Sequence, residues 1–415
     1  MNIYAIMEKK RLIFSIPMIA ASLLIYGIEL KSVSVRNVDD FMAPIVIRQA
    51  TSDRISINFD ILGDQHDYLR YKLIHCNADG EKSRLMESEF LGSFNEAEVT
   101  DYAYSSNTYV HYVNYNIEIP NSDMPILASG NYILEVYAEN DPDEILLDVP
   151  FSVSEGIARV SGHTTSRTDK GFNTDYQQIA LEIDAASLGN INPYQDLLVT
   201  VMQNNRPETL RILEHPLRVE SGKIIFEHSP ELIFEAGNEY RRFETVRTDY
   251  PGMNVDSVKF SGNNWHAFLS IDEPRNETSY IFDSTQHGRF KIDEYNSSDP
   301  DLGADYVTVH FTLDAPQIGN GAIYIDGDFT GHKFDDSNLM KYDWNDGLYH
   351  ARMLLKQGSY NYQYVTVPES RVGAYASPIE GNKYETRNEY LVRVYLREPG
   401  SRGDRLVGHT VLWFN

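Results

Sequence analysis

At 415 residues the chain is too long for one compact core, and about two to four domains are expected, three being the preferred number. Lysine and arginine total 36 against 61 aspartates and glutamates, a net charge of -25 that repels a phosphate backbone and excludes nucleic acid as a partner. A single cysteine, Cys76, excludes an intrachain disulfide.

Taken from the N-terminus, Glu8, Lys9, Lys10 and Arg11 form a mostly basic start before "LIFSIPMIAASLLIY", Leu12 to Tyr26, which is free of charge. This is the pattern of a secretory signal peptide, expected over residues 1–27. A transmembrane anchor is the alternative, but spanning takes about 17 residues or more, and Pro17 interrupts the run. No cysteine follows that could carry a bacterial lipid, so the mature chain is expected to be soluble, with no direct membrane insertion.

Beyond residue 27, period-two alternation dominates and no stretch longer than about ten residues keeps a 3.6 repeat, which predicts an all-β protein. In "RISINFD", Ile55, Ile57 and Phe59 share one face, and in "YVHYVNYNIEI" the odd positions Tyr109, Val113, Tyr115, Ile117 and Ile119 do the same. Both read as half-buried strands. "SGNYILEVYAENDPDE" sets Gly130 and Asn131 before a strand and a polar turn after it, so a first β-sandwich is expected over 28–155. "QIALEIDA", "DLLVTVMQNN", "KIIFEHSP", "GNEYRRFETV" and "NWHAFLSID" supply a second over 156–297, closed by the acidic linker "KIDEYNSSDPDLGADY". The third, over 298–415, opens with Val307, Val309, Phe311 and Leu313 on one face and ends with Tyr390, Val392, Val394 and Leu396. Strands at this spacing, separated by turns, predict tandem immunoglobulin-like β-sandwiches.

Enzyme signatures are missing: there is no Gly-x-Ser-x-Gly elbow, no His-Glu-x-x-His, no Cys-x-x-Cys and no phosphate loop. No catalytic, cofactor-binding or metal-ligating residue is assigned, no cofactor is expected, and the partner-binding surface is unknown. The acidic clusters "NDPDE" (140–144) and "SSDPDLGAD" (297–305) could hold calcium through carboxylate and carbonyl oxygens, or simply be solvated turns. "DGDF" (326–329) reads as a tight turn with Gly327 at positive φ. Cys76 reads as a small buried apolar residue rather than a nucleophile. Arg387, Arg393, Arg397, Arg402 and Arg405 form a basic island in an acidic chain, either an interface or a set paired locally with Asp404 or Glu398.

Two resemblances follow from quoted stretches. "AIYIDGDFTGH" (322–332) and "LLKQGSYNYQYV" (354–365) resemble glycogen- and starch-binding β-sandwich modules, in which Asn-x-Trp usually follows the Gly-x-Phe strand. Here Thr330, Gly331 and His332 stand in that place, so α-glucan binding is not expected, and most of the 28 tyrosines, like Tyr362, suit strand packing. More of the chain is covered by "IHCNADG" (74–80), "SSNTYVHY" (105–112), "SGNYILEVY" (129–137), "QNNR" (203–206), "AGNEYRRFE" (236–244), "LKQGSYNYQYV" (355–365) and "EGNKYETRNEYLVRVYLREPGSRGDRLVG" (380–408). Together these resemble the plug protein of the type IX secretion system of Bacteroidota. The resemblance implies a non-catalytic periplasmic protein, associated with the outer membrane through its partner. That partner is the giant outer-membrane β-barrel translocon, whose periplasmic opening it would seal. A secreted array of carbohydrate-binding sandwiches and a cryptic hydrolase are the alternatives.

The basic start and uncharged run predict that N-terminal sequencing of the exported chain reads from between about Ile28 and Lys31. Intact residues 1–27 in a salt-washed membrane fraction would identify an anchor instead.

Overall fold

The computed structural model describes residues 28–184, 186 and 188–414; the expected signal peptide, residues 1–27, lies outside the described residues. Alternation produces strands where it was read, and three β-sandwiches result. In the first, one sheet runs Leu30–Asn37, Ile55–Leu62, Tyr112–Ile119, Asp101–Tyr104, and the facing sheet runs Val46–Arg48, Asp141–Ser154, Gly130–Ala138, Leu69–Cys76, Ala97–Glu98. Ile55, Ile57, Phe59 and Ile61 meet Leu69, Tyr71, Leu73, Leu134 and Val136 in its core, with Phe59 stacked on Tyr115 at 5.4 Å between ring centroids. Tyr109 is an exception to the expected strand: it stands outside Tyr112–Ile119 and is exposed.

The middle sandwich is discontinuous, which corrects the expected division at 297/298. Its first sheet holds Arg159–Thr165, Tyr176–Asp184, Lys223–Phe226 and Arg218–Glu220, with Ile233–Glu235 also on Tyr176–Asp184. Its second sheet runs Arg211–Leu213, Leu197–Gln203, Glu389–Leu396, Arg405–Trp413, so the last two strands of the chain complete the middle unit. Leu197 pairs with Leu396 and the register holds through Gln203 opposite Tyr390. Val199, Val201, Val392, Val394 and Val407 share one core with Ile179, Leu181 and Phe226. Alternation marks which face of a strand is apolar but carries no label for its partner, so the final strands could not be assigned by position in the chain.

Residues from about 240 to 387 therefore form a third sandwich inserted into the second. One layer holds Arg241–Glu244 and Phe290–Ile292 on Gly358–Val367, followed by Ala322–Asp326. The other holds Leu348–Lys356, Tyr306–Leu313, Asn264–Leu269 and Val255–Ser261. Leu339–Asp343 joins the layers: Leu339 and Met340 pair with Ala322–Asp326, while Lys341 to Asp343 pair with Leu348–Lys356.

Polar contacts dock these units. The strand Ile55–Leu62 is buried on both faces rather than one, because Asn58, Asp60 and Asn114 turn away from the first core into a layer that meets the inserted sandwich. There Asp60 accepts hydrogen bonds from Lys356 Nζ at 2.7 Å, Tyr306 OH at 2.7 Å and Asn114 Nδ2 at 2.8 Å, and Lys356 lies 4.0 Å above the Tyr112 ring. Burial alone raises the Asp60 carboxyl and lowers the Lys356 amine; their mutual attraction and the three donors oppose it. Removing one member of such a pair strands the other charge, at a cost of about 3–5 kcal/mol. Lys356→Met should lower the urea-unfolding free energy by about that amount, and adding Asp60→Asn should restore a large part of it. Equal, additive losses would show that the two groups are independent.

Candidate partner interface

The segments that read as motifs converge on junctions. After the strand Leu197–Gln203, the turn carries Arg206 into the inserted sandwich, where its Nε lies 2.6 Å from Glu208 Oε1 and 4.0 Å from Asp326 Oδ2. Asp326, fully buried in the "DGDF" stretch, also accepts from Gln363 Nε2 at 2.9 Å. His332 Nδ1 donates to Asp326 at 2.9 Å and its Nε2 to Asp328 at 3.1 Å. With a carboxylate on each ring nitrogen, the imidazole is held doubly protonated. Burial would lower the His332 pKa, but Asp326 and Asp328 overcome it and raise it well above its ordinary value. Burial likewise opposes ionisation of Asp326, yet His332 and Arg206 pull it down to about 2. The expectation of positive φ at Gly327 is corrected: its φ of 173° is extended. Glycine is needed there because a Cβ would stand 2.5 Å from Asn361 O and 2.8 Å from the Phe329 ring.

A second cluster lies where the chain enters and leaves the insertion. Glu380, buried, accepts from Arg241 Nε at 3.0 Å, Arg275 Nε at 2.8 Å and the Tyr364 amide at 2.9 Å. Burial would raise its carboxyl, and the two guanidiniums more than reverse that. Arg241 also reaches Asp272, which takes the hydroxyls of Tyr362 and Tyr364. Tyr362 is only 2% exposed, so it packs and is no sugar platform. Next to this, Gln177 donates to the carbonyls of Tyr384 and Thr386, and Asn388 bridges Gln177 and Ala236.

The arginine island is spent largely inside the molecule. Arg397 makes a fork of two 2.7 Å bonds to Asp404, Arg405 reaches Glu155 and Glu398, Arg402 reaches Glu89, and Arg393 donates to Ser152. Glu155, Glu89 and Ser152 belong to the first sandwich, so these guanidiniums hold two units together; Arg387 lies over the Phe282 ring. Of the acidic clusters, 297–305 clasps the first sandwich: Asp305 accepts from the amides of Tyr109 and Val110, and Tyr112 OH donates to Ala304 O. Segment 140–144 is exposed at a hairpin. Among the described residues no group of three or more His, Cys, Asp or Glu side chains is placed to hold a metal. Cys76 is buried and burial pushes its thiol up to about 11, so it is not a nucleophile at neutral pH.

Outward-facing chemistry is of another kind. His66 stacks on Tyr102 beside Tyr68 and Tyr104, along the edge strand Asp101–Tyr104. On the inserted sandwich, Trp344 is 78% exposed beside a shallow, open depression lined by Lys341, Tyr342, His350 and Arg352. Exposed aromatic rings and unpaired edges are the raw material of a protein–protein contact. Sequence reading missed the junction residues because a buried aspartate in a strand looks like a solvent-facing one.

The fold and its junctions define an all-β body of three docked sandwiches. A family model described as type 9 secretion system plug protein, 1st domain, matches residues 30–155, the span of the first sandwich. A crystal structure of a hypothetical protein from Parabacteroides merdae superposes with a TM-score of 0.90 at 36% identity, over 92% of this chain and 97% of that one. The native conformation of E. coli alpha-2-macroglobulin matches at 9% identity with a TM-score of 0.19, over 94% of this chain and 22% of that one, and carries no structural argument. No curated protein matches. Through its first sandwich, residues 30–155, the chain belongs to the type IX secretion system plug protein family.

The His332 cluster predicts a pH dependence. Because its folded pKa is raised, its stabilisation is complete below the unfolded value of about 6.5 and is lost as pH rises towards the folded pKa. The depressed Asp326 adds stability that is lost only as pH falls from about 4 towards 2. The urea-unfolding free energy should fall as pH rises above about 6.5, by at most about 1.4 kcal/mol per pH unit, relative to His332→Gln. Parallel profiles for the two proteins would refute the assignment.

Proposed function

We propose that this chain is a non-catalytic periplasmic plug that binds the giant outer-membrane β-barrel translocon of the type IX secretion system and closes its periplasmic opening. Membership of the family makes that system the place to look. The observation that supports sealing is the docking of every pair of sandwiches through polar contacts: the buried pairs Asp60–Lys356 between first and inserted and Arg206–Asp326 and Arg289–Glu389 between middle and inserted, and the half-exposed Arg405–Glu155 between first and middle. A seal over a wide pore has to resist bending across its span, and three units tied at all three junctions form one stiff block on the scale of several domains. An open barrel wide enough for folded proteins would otherwise breach the outer-membrane barrier. The block carries out this task by shape and contact, without a cofactor.

Deletion of the gene should leave type IX secretion largely working while admitting large antibiotics such as vancomycin, and that leak should vanish in a strain that also lacks the barrel. Permeability that is unchanged, or that rises equally with and without the barrel, would remove the mechanism.

A further inference from the structure

Beyond the end where Tyr306 and Lys356 dock on the first sandwich, the outward face of one sheet of the inserted sandwich is left open. Ala267, Val309, Phe311, Ala351 and Met353 point into the core, so alternation turns Lys259, His266, Phe268, His310 and Arg352 outwards on the same layer. Register sets Lys259 beside His266, Phe268 beside His310, and His310 beside Arg352; Lys341 follows one strand further, beside His350. His266 Nδ1 and His310 Nε2 lie 2.9 Å apart, Phe268 stacks on His310 at 4.2 Å, and Lys259 Nζ lies 5.2 Å from the Phe268 ring centre. Burial first, then His266 and Arg352, push His310 down to about 4, so at neutral pH it is a neutral ridge between cations.

Lys259, Lys341 and Arg352 are exposed, and none has a carboxylate within ion-pair distance among the described residues. The acids bordering this face are Asp256, which takes the Ser270 hydroxyl, and Asp343 and Asp346, of which Asp346 is engaged by His350 at 2.9 Å. Next to Asp343 and Asp346 the sheet ends in the depression beside Trp344, whose ring meets Tyr342 edge-on at 5.0 Å. A chain of net charge -25 thus presents a cationic stripe that leads to an exposed aromatic.

We propose that this face docks an acidic polypeptide segment of the translocon, with its carboxylates on Lys259, Arg352 and Lys341 and an apolar side chain against Trp344. The proposal rests on the plug reading and gives that contact a location. Charge complementarity selects an acidic partner, and the exposed Trp344 ring beside a shallow depression gives an apolar side chain of that partner a place to pack.

The test uses the mature chain and the detergent-solubilised, tagged barrel on a biosensor. Lys259→Glu/Lys341→Glu/Arg352→Glu should bind about tenfold more weakly or worse and lose much of the salt dependence of association, and Trp344→Ala should dissociate faster. Arg167→Glu/Lys170→Glu, on the middle sandwich, should bind as the parent does. All variants should keep the parent melting midpoint, since the altered side chains are exposed. Parent-like binding by the triple variant overturns the assignment of this face while leaving the plug reading standing. So does loss of binding only to phosphatidylglycerol vesicles, which would make the stripe a membrane contact. If the parent chain itself fails to bind the barrel, the plug reading and this role for the face fall together.

Discussion

Closing the middle sandwich requires Leu197–Gln203 to meet Glu389–Leu396, a pairing that spans the whole inserted unit. Loop-closure entropy rises only slowly with length, but a disordered connection of that size would still leave the two strands to search for their register. The inserted sandwich removes the search by bringing its own ends together. Gly237 N donates to Asn382 Oδ1, Lys383 N donates to Gly237 O, and Arg387 N donates to Glu239 Oε1, so the strands on either side start beside each other. The middle core of Val199, Val201, Val392 and Val394 therefore depends on a neighbour with a core of its own.

Polar surfaces at the junctions serve specificity more than raw stability. A small apolar cluster of Val46, Ala78, Leu198, Leu391, Tyr395 and Leu406 joins first and middle sandwiches, and around it stand Arg397–Asp404, Arg405–Glu155 and Tyr395 OH donating to Asn131. Apolar contacts tolerate sliding, whereas a buried donor displaced by a few ångströms loses its acceptor and its water together. With such contacts at each junction, the relative placement of the units is over-determined.

Alternation made the cores legible: Ile55, Ile57 and Phe59 and then Val307, Val309, Phe311 and Leu313 are buried where the period of two places them. The opposite faces were harder to read. Asn58, Asp60 and Asn114 obey the polar half of the pattern, yet they face another sandwich instead of solvent. One physical hint was present, since these positions hold short Asn and Asp side chains rather than the long Lys and Glu that solvate a free face. Strand partners left no such trace, and Glu389–Leu396 was placed with the wrong unit for that reason. Gly327 shows a related limit: a glycine demanded by close approach of Asn361 O and one demanded by a left-handed turn look the same in a sequence. No partner-binding residue was predicted, and the cationic stripe stayed hidden because Lys259, Arg352 and Lys341 lie on different strands and meet only once the sheet is assembled.

The two passages of chain between middle and inserted sandwiches, near residues 236–240 and 386–389, run side by side and are cross-bridged. A single tether is a swivel, whereas two adjacent ones act like the paired leaves of a door hinge welded shut. Load on the inserted unit is shared between them, and twisting one domain on the other would shear both passages at once. A force applied to the inserted unit would therefore move the whole body rather than bend it at this joint.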